Sequence, residues 1–127
     1  MRAAAEGAMI KILSFGFKYG EPYPEAEMRV DLRSRVRNPR DHVPKGAVGT
    51  DRVVIDAVLG SPGNVKVLQR YHERARTLAR ENGSCVIAFG CKSGIHRSVV
   101  FANALAERLR KDGYEVEVVH RHLRAPS

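Results

Sequence analysis

At 127 residues with 43% apolar content, the chain has room for one domain around one core and is too apolar for a disordered tail. Its 22 Lys and Arg against 14 Asp and Glu give a formal charge of +8, which favours anionic partners such as nucleic acid, acidic proteins or phosphorylated metabolites without choosing among them. The longest apolar runs, such as Cys85 to Phe89, exclude a membrane span, and the opening residues lack the apolar stretch of a secretory signal.

In chain order, the first expected element is a short apolar strand from Ile10 to Phe15 that breaks at Gly16. Pro22 and Pro24 make the next segment a loop. Glu27 to Val36 then alternates, with Met28, Val30, Leu32, Ser34 and Val36 on one side and Arg29, Asp31, Arg33 and Arg35 on the other, which predicts a half-buried strand ended by Asn38-Pro39. Residues 40 to 49 read as loop, and Thr50 is placed to cap a short helix carrying Val53, Val54 and Val58 before Gly60. Val65, Leu68, His72, Ala75, Leu78 and Ala79 recur at helical spacing up to the Asn82-Gly83 terminator. Cys85 to Phe89 predicts a buried strand, His96 to Asp112 a helix stopped by Gly113, and Val116 to Val119 a closing strand. Strands alternating with helices imply an α/β domain with a mostly parallel sheet, whose ligands bind beyond the carboxyl ends of the strands. The expected layout is a loose leader over residues 1–9, the domain over 10–123 and a short tail over 124–127.

Chemistry concentrates between the third strand and the following helix, in Gly90-Cys91-Lys92-Ser93-Gly94-Ile95-His96-Arg97-Ser98. Backbone N–H groups, a helix N-terminus, the Ser93 and Ser98 hydroxyls and the Arg97 fork would surround one small volume there, and that volume suits a phosphate. Gly90 and Gly94 let the main chain turn and approach a ligand, and His96 either touches that ligand or caps the helix. Ser14, Lys18, Asp31 and Arg33 come from the ends of the first two strands, where a parallel sheet can carry them to the same loop.

The spacing Cys-x-x-Gly-x-x-Arg-Ser resembles the signature of protein tyrosine and dual-specificity phosphatases, with Cys91 as nucleophile and Arg97 as phosphate clamp. A helix N-terminus flanked by cations favours a thiolate. Against that, Gly90 stands where those phosphatases usually have His, and no Asp is marked out by spacing as general acid. Cys91 is equally readable as a small buried thiol. Cys85 and Cys91 lie too close along one strand and its loop for a structural bridge, so reduced thiols and a cytoplasmic setting are expected. His120 and His122 offer two ligands and no third, so no metal is expected and the terminal His120 to Arg124 reads as a basic rim. Nothing calls for a cofactor.

Three further blocks extend the pattern: Ser14-Phe15-Gly16-Phe17-Lys18-Tyr19-Gly20 with Pro22, Val30-Asp31-Leu32-Arg33 with Asn38-Pro39, and the closing Tyr114 to His122. Together with Ala88 to Val99, these resemble the C-terminal domain of the RNase adapter proteins called RapZ, or YvcJ-like nucleotide-binding proteins, over about Ile10 to Leu123. The Gly-rich segment of that family is reduced here to Val48-Gly49-Thr50-Asp51, and Arg40 stands where many relatives carry His. Family members also carry an N-terminal P-loop domain, and no Gly-x-x-x-x-Gly-Lys-Ser/Thr occurs in this sequence, so the expectation is either a stand-alone C-terminal domain or the C-terminal piece of a longer protein, and nucleotide binding of that kind is not carried over. The resemblance implies a domain that senses a phosphorylated amino sugar, binds small RNA through basic surface, and forms homo-oligomers that present RNA to an endoribonuclease. Arg35, Arg37, Arg40, Arg121 and Arg124 are the candidate phosphate-tracking residues. With four Phe, four Tyr and no Trp, backbone and shape contacts are expected over base stacking.

Overall fold

A computed structural model describes residues 8–123. The expected leader up to residue 7, the tail with Arg124, and the side chain of Arg40 lie outside the described residues. Four strands form one sheet in the order β2-β3-β1-β4, all pairs parallel. They are β1 (Met9–Gly16), β2 (Met28–Asp31), β3 (Cys85–Cys91) and β4 (Glu115–His120). Helices α1 (Arg52–Leu59) and α2 (Asn64–Asn82) join β2 to β3, and α3 (Arg97–Lys111) joins β3 to β4. The expected α/β class with a parallel sheet and flanking helices is therefore the fold observed.

Both helical connections cross the sheet in the same direction, and right-handed crossovers then put the helices on one face. Alternation along the strands follows from this. Ile10 and Ile12, Met28 and Val30, Ile87 and Phe89 all enter one core with Leu68, Phe101, Leu105 and Leu109 from the helices, each no more than 4% exposed. The loop from β1 to β2 runs the other way and covers part of the second face with a T-shaped cluster of Phe15, Phe17 and Tyr23. Tyr71 on α2, which helical periodicity missed, packs edge-on against Phe89 and Phe101 inside the core.

The strands differ from expectation at their ends. β1 takes in Met9 and Gly16, and β3 runs on through Gly90 to Cys91, so the loop before α3 is only residues 92–96. β2 stops at Asp31, five residues before the alternation does. There the Asp31 carboxylate accepts the Arg33 backbone N–H at 3.0 Å, and Val36 N–H reaches back to the Leu32 carbonyl, bending residues 32–36 into a turn. Leu32 and Val36 remain buried, so the period-two signal was a core signal that a turn satisfies as well as a strand. Asp51 rather than Thr50 precedes α1, and its carboxylate accepts the Val48 N–H at 2.8 Å. Val53 and Val65, assigned to apolar helix faces, are 42% and 46% exposed.

Candidate anion-binding site

The carboxyl ends of β1, β2 and β3 meet the N-terminus of α3, where the crevice rule for open parallel sheets expects a ligand. Two glycines make the meeting close. A Cβ on Gly16 would lie 2.4 Å from the Ser93 carbonyl carbon, and one on Gly94, at φ +77°, 2.6 Å from the Gly16 nitrogen. Lys18 N–H then donates to the Lys92 carbonyl at 2.9 Å, fixing the turn after β1 onto the loop. From the other side Gly49 N–H donates to the Ile95 carbonyl at 2.6 Å, and the His96 Nε2–H donates to the Ala47 carbonyl at 2.7 Å. The ladder of α3 begins with Val100 N–H on the His96 carbonyl, so the N–H groups of Arg97, Ser98 and Val99 precede it, and no side chain caps this end.

Beside the loop lies a cleft of about 560 Å³. Lys18, Lys45, Lys92 and His96 supply cationic or donor groups, Val43, Pro44 and Ile95 an apolar wall, and Asn38, Asp41 and Ser93 further polar groups. This mixture of a few convergent polar groups on an apolar wall is the usual make-up of a small-molecule site. Lys45, Val43, Asn38 and Asp41 escaped sequence reading because they come from a stretch without periodicity. Its only local signal is Lys45-Gly46, a turn with Gly46 at φ +88°.

The predicted residues divide into three sets. Lys18, Lys92, Ser93, Ile95 and His96 line the cleft together, and Gly94 packs against the Phe15 and Gly16 backbone behind the loop. Arg33, Arg35, Arg37 and Arg97 line an adjoining cleft, with Lys92 at the boundary. Arg97 is 5% exposed, and its Nη1 donates to the carbonyls of Leu32, Arg33 and Val36 at 3.4, 3.2 and 3.0 Å, so it organises the turn after β2 as well as facing the cleft. Asp31 is paired with Arg33 at 2.7 Å, and the hydrogen bonds from that guanidinium hold its carboxyl below the ordinary pKa. Arg33 also stacks 3.8 Å over the Phe17 ring.

Three of the predicted ligand residues, Ser14, Cys91 and Ser98, are buried and line neither cleft. The Ser14 hydroxyl is fully buried and donates to His120 Nδ1 at 2.6 Å, while the other ring nitrogen of His120 donates to the Asn103 side-chain oxygen at 2.9 Å. Cys91 is 2% exposed, and its thiol donates to the Ser98 hydroxyl at 3.2 Å, which is itself fully buried. Of the two histidines read as a basic rim, His120 is half-buried in those bonds, and His122 is interior: it is 6% exposed, accepts the Gly16 N–H at 2.8 Å, bonds Glu21 and stacks on Tyr19. Arg121 is exposed, and its N–H donates to the Ser14 carbonyl, continuing the pairing of β4 with β1.

The model of the RapZ C-terminal domain matches residues 8–124. A nucleotide-binding protein of Streptomyces coelicolor is 39% identical over 120 residues, covering 88% of this chain and 39% of its own length. One of Bifidobacterium adolescentis is 42% identical over 122 residues, with 90% and 38% covered, and one of Moorella thermoacetica is 38% identical over 120, with 89% and 39% covered. The chain thus spans about two-fifths of the length of these relatives. On the match across nearly all its residues, the chain belongs to the RapZ C-terminal domain family.

Proposed function

We propose that this domain is a non-catalytic sensor and adapter that binds a phosphorylated amino sugar in the cleft beside residues 92–96. The observation that carries this reading is the convergence of Lys18, Lys45, Lys92 and His96 on one cleft at the N-terminus of α3. The phosphoryl group would meet the ammonium groups and the loop N–H groups, the sugar ring would lie on Val43, Pro44 and Ile95, and Asp41 would accept from the amino group. Differential scanning fluorimetry tests this directly. Glucosamine 6-phosphate at a hundred times its Kd would stabilise the folded state by about 2.7 kcal/mol, whereas unphosphorylated glucosamine would not. Lys45→Ala with Lys92→Ala would remove the response, and an unchanged response in that variant would sink the proposal.

The alternative, a cysteine-dependent phosphatase, draws on the Cys91-to-Ser98 spacing. It is disfavoured by the burial of the Cys91 thiol and by the engagement of Arg97 with three backbone carbonyls. Hydrolysis of p-nitrophenyl phosphate by the unmodified protein is expected at background. Turnover above background that disappears in Cys91→Ser would replace the adapter reading with the enzymatic one.

Family membership extends the proposal to the partners: a small RNA held on basic surface, a homo-oligomer, and an endoribonuclease to which the RNA is presented, all within the cytoplasm. No helix among the described residues is long and apolar enough to cross a membrane.

A further inference from the structure

Beyond Ser14 the backbone pairing of β1 with β4 comes to an end. Arg121 N–H donates to the Ser14 carbonyl at 2.9 Å, and there the chain leaves the sheet, while β1 runs on to Gly16. Alternate residues of a strand turn their backbone groups to the same side, so the Gly16 N–H points where β4 no longer offers a carbonyl. The side chain of His122 fills that gap, its Nδ1 accepting the Gly16 N–H at 2.8 Å. Because Nδ1 accepts, the ring proton sits on Nε2 and is donated to the Glu21 carboxylate. The same ring stacks on Tyr19, with centroids 4.0 Å apart and planes 19° from parallel.

Gly16 and Tyr19 are the two ends of the short helical turn that carries Lys18. Lys18 N–H donates to the Lys92 carbonyl, and its ammonium lies 5.3 Å over the Tyr19 ring and lines the cleft beside the loop. We infer, on the sugar-phosphate reading of that cleft, that His122 is a positioning residue for the ligand: it lines neither cleft, and it holds Lys18 in place through Gly16 and Tyr19. A lysine ammonium on a flexible stem loses freedom when it grips an anion, and a turn and an aromatic rest fixed beforehand lower that cost. Gly16 cannot restrain the turn with a side chain of its own, because a Cβ there would strike Ser93. The restraint comes instead from 106 positions away along the chain.

Isothermal titration of glucosamine 6-phosphate into the parent and three variants tests this role. His122→Ala removes acceptor and ring together, His122→Asn returns an acceptor oxygen where Nδ1 stood, and His122→Gln carries its amide further out, where Nε2 stood. Affinity should fall about tenfold in His122→Ala and His122→Gln, and recover to within about threefold of the parent in His122→Asn. In amide NMR spectra the Gly16 proton should move upfield in His122→Ala and return in His122→Asn. Parent affinity retained by His122→Ala overturns the assignment, as does a Gly16 proton unmoved by that change, and so does a His122→Asn variant as weak as His122→Ala. If His122→Ala does not fold, equal affinities of His122→Asn and His122→Gln overturn it. Each of these results leaves the sensor reading standing, whereas no binding by the parent overturns that reading and the role of His122 with it.

Discussion

Arg97 shows how one side chain can line a cleft and hold the fold together. Its guanidinium donates to carbonyls in the turn after β2, and those acceptors lose a charged donor when the side chain is cut back. Arg97→Ala should therefore destabilise the domain by about 2–3 kcal/mol, read as a lower urea midpoint, besides weakening anion binding. Ligand binding is better probed at Lys45 and Lys92, which are exposed. His120 gives a second residue-scale expectation. Burial lowers its pKa, so as pH falls the unfolded chain takes up the proton before the folded one does. Stability from the neutral imidazole, bonded to Ser14 and Asn103, is thus fully present above the unfolded value of about 6.5. It drains away as pH falls from there through the lowered folded-state pKa. His120→Gln should cost about 1–2 kcal/mol at pH 7.5, with a smaller gap to the parent at pH 5.5. A gap independent of pH, measured by urea denaturation, would refute this account.

At the scale of elements, the loop before α3 depends on how closely β1 approaches it. Gly16→Ala would drive a methyl into the Ser93 carbonyl carbon, and Gly94→Ala would force both a clash with Gly16 and a left-handed backbone. Either change should cost about 2–4 kcal/mol and abolish ligand-induced stabilisation, whereas Gly20→Ala, at φ +67° with nothing within 4 Å, should cost only about 1 kcal/mol. Thermal unfolding of the three variants, with and without glucosamine 6-phosphate, would separate these cases. The contrast also explains what could be read from the sequence. The parallel α/β class, α2 from its apolar spacing, and the strand-loop-helix unit around Cys91 were legible because local periodicity and turn residues encode them. The length of β2 was not, since Leu32 and Val36 bury their side chains whether the backbone is extended or turned by Asp31 and Arg97. Ser14 looked like a ligand residue from its place near the end of β1. Its pairing with His120, 106 positions away, is a property of the register between β1 and β4 that no local pattern carries. Lys45 and Asp41 were invisible for the same reason, being carried to the loop by the Gly49 and Ala47 backbone contacts.

For the whole molecule, the formal charge of +8 is unevenly compensated. Glu25, Asp31, Asp56, Glu107, Asp112 and Glu117 each lie within ion-pair distance of a Lys, Arg or His, while Arg35 and Arg37 enter none among the described residues. Exposed cations without acidic neighbours are the natural place for a phosphodiester backbone to release its condensed counterions. Replacing Arg35 and Arg37 by Glu together should therefore weaken binding of a structured small RNA and reduce the slope of log affinity against log salt by about 2. Both side chains are exposed, so the thermal midpoint should move by little, and glucosamine 6-phosphate binding beside Lys45 should persist. Gel shifts across a salt series, run beside ligand-induced stabilisation, would decide the matter. An unaltered salt slope would move the RNA surface away from the turn after β2, and absence of binding by the parent at low salt would remove RNA recognition from this domain altogether.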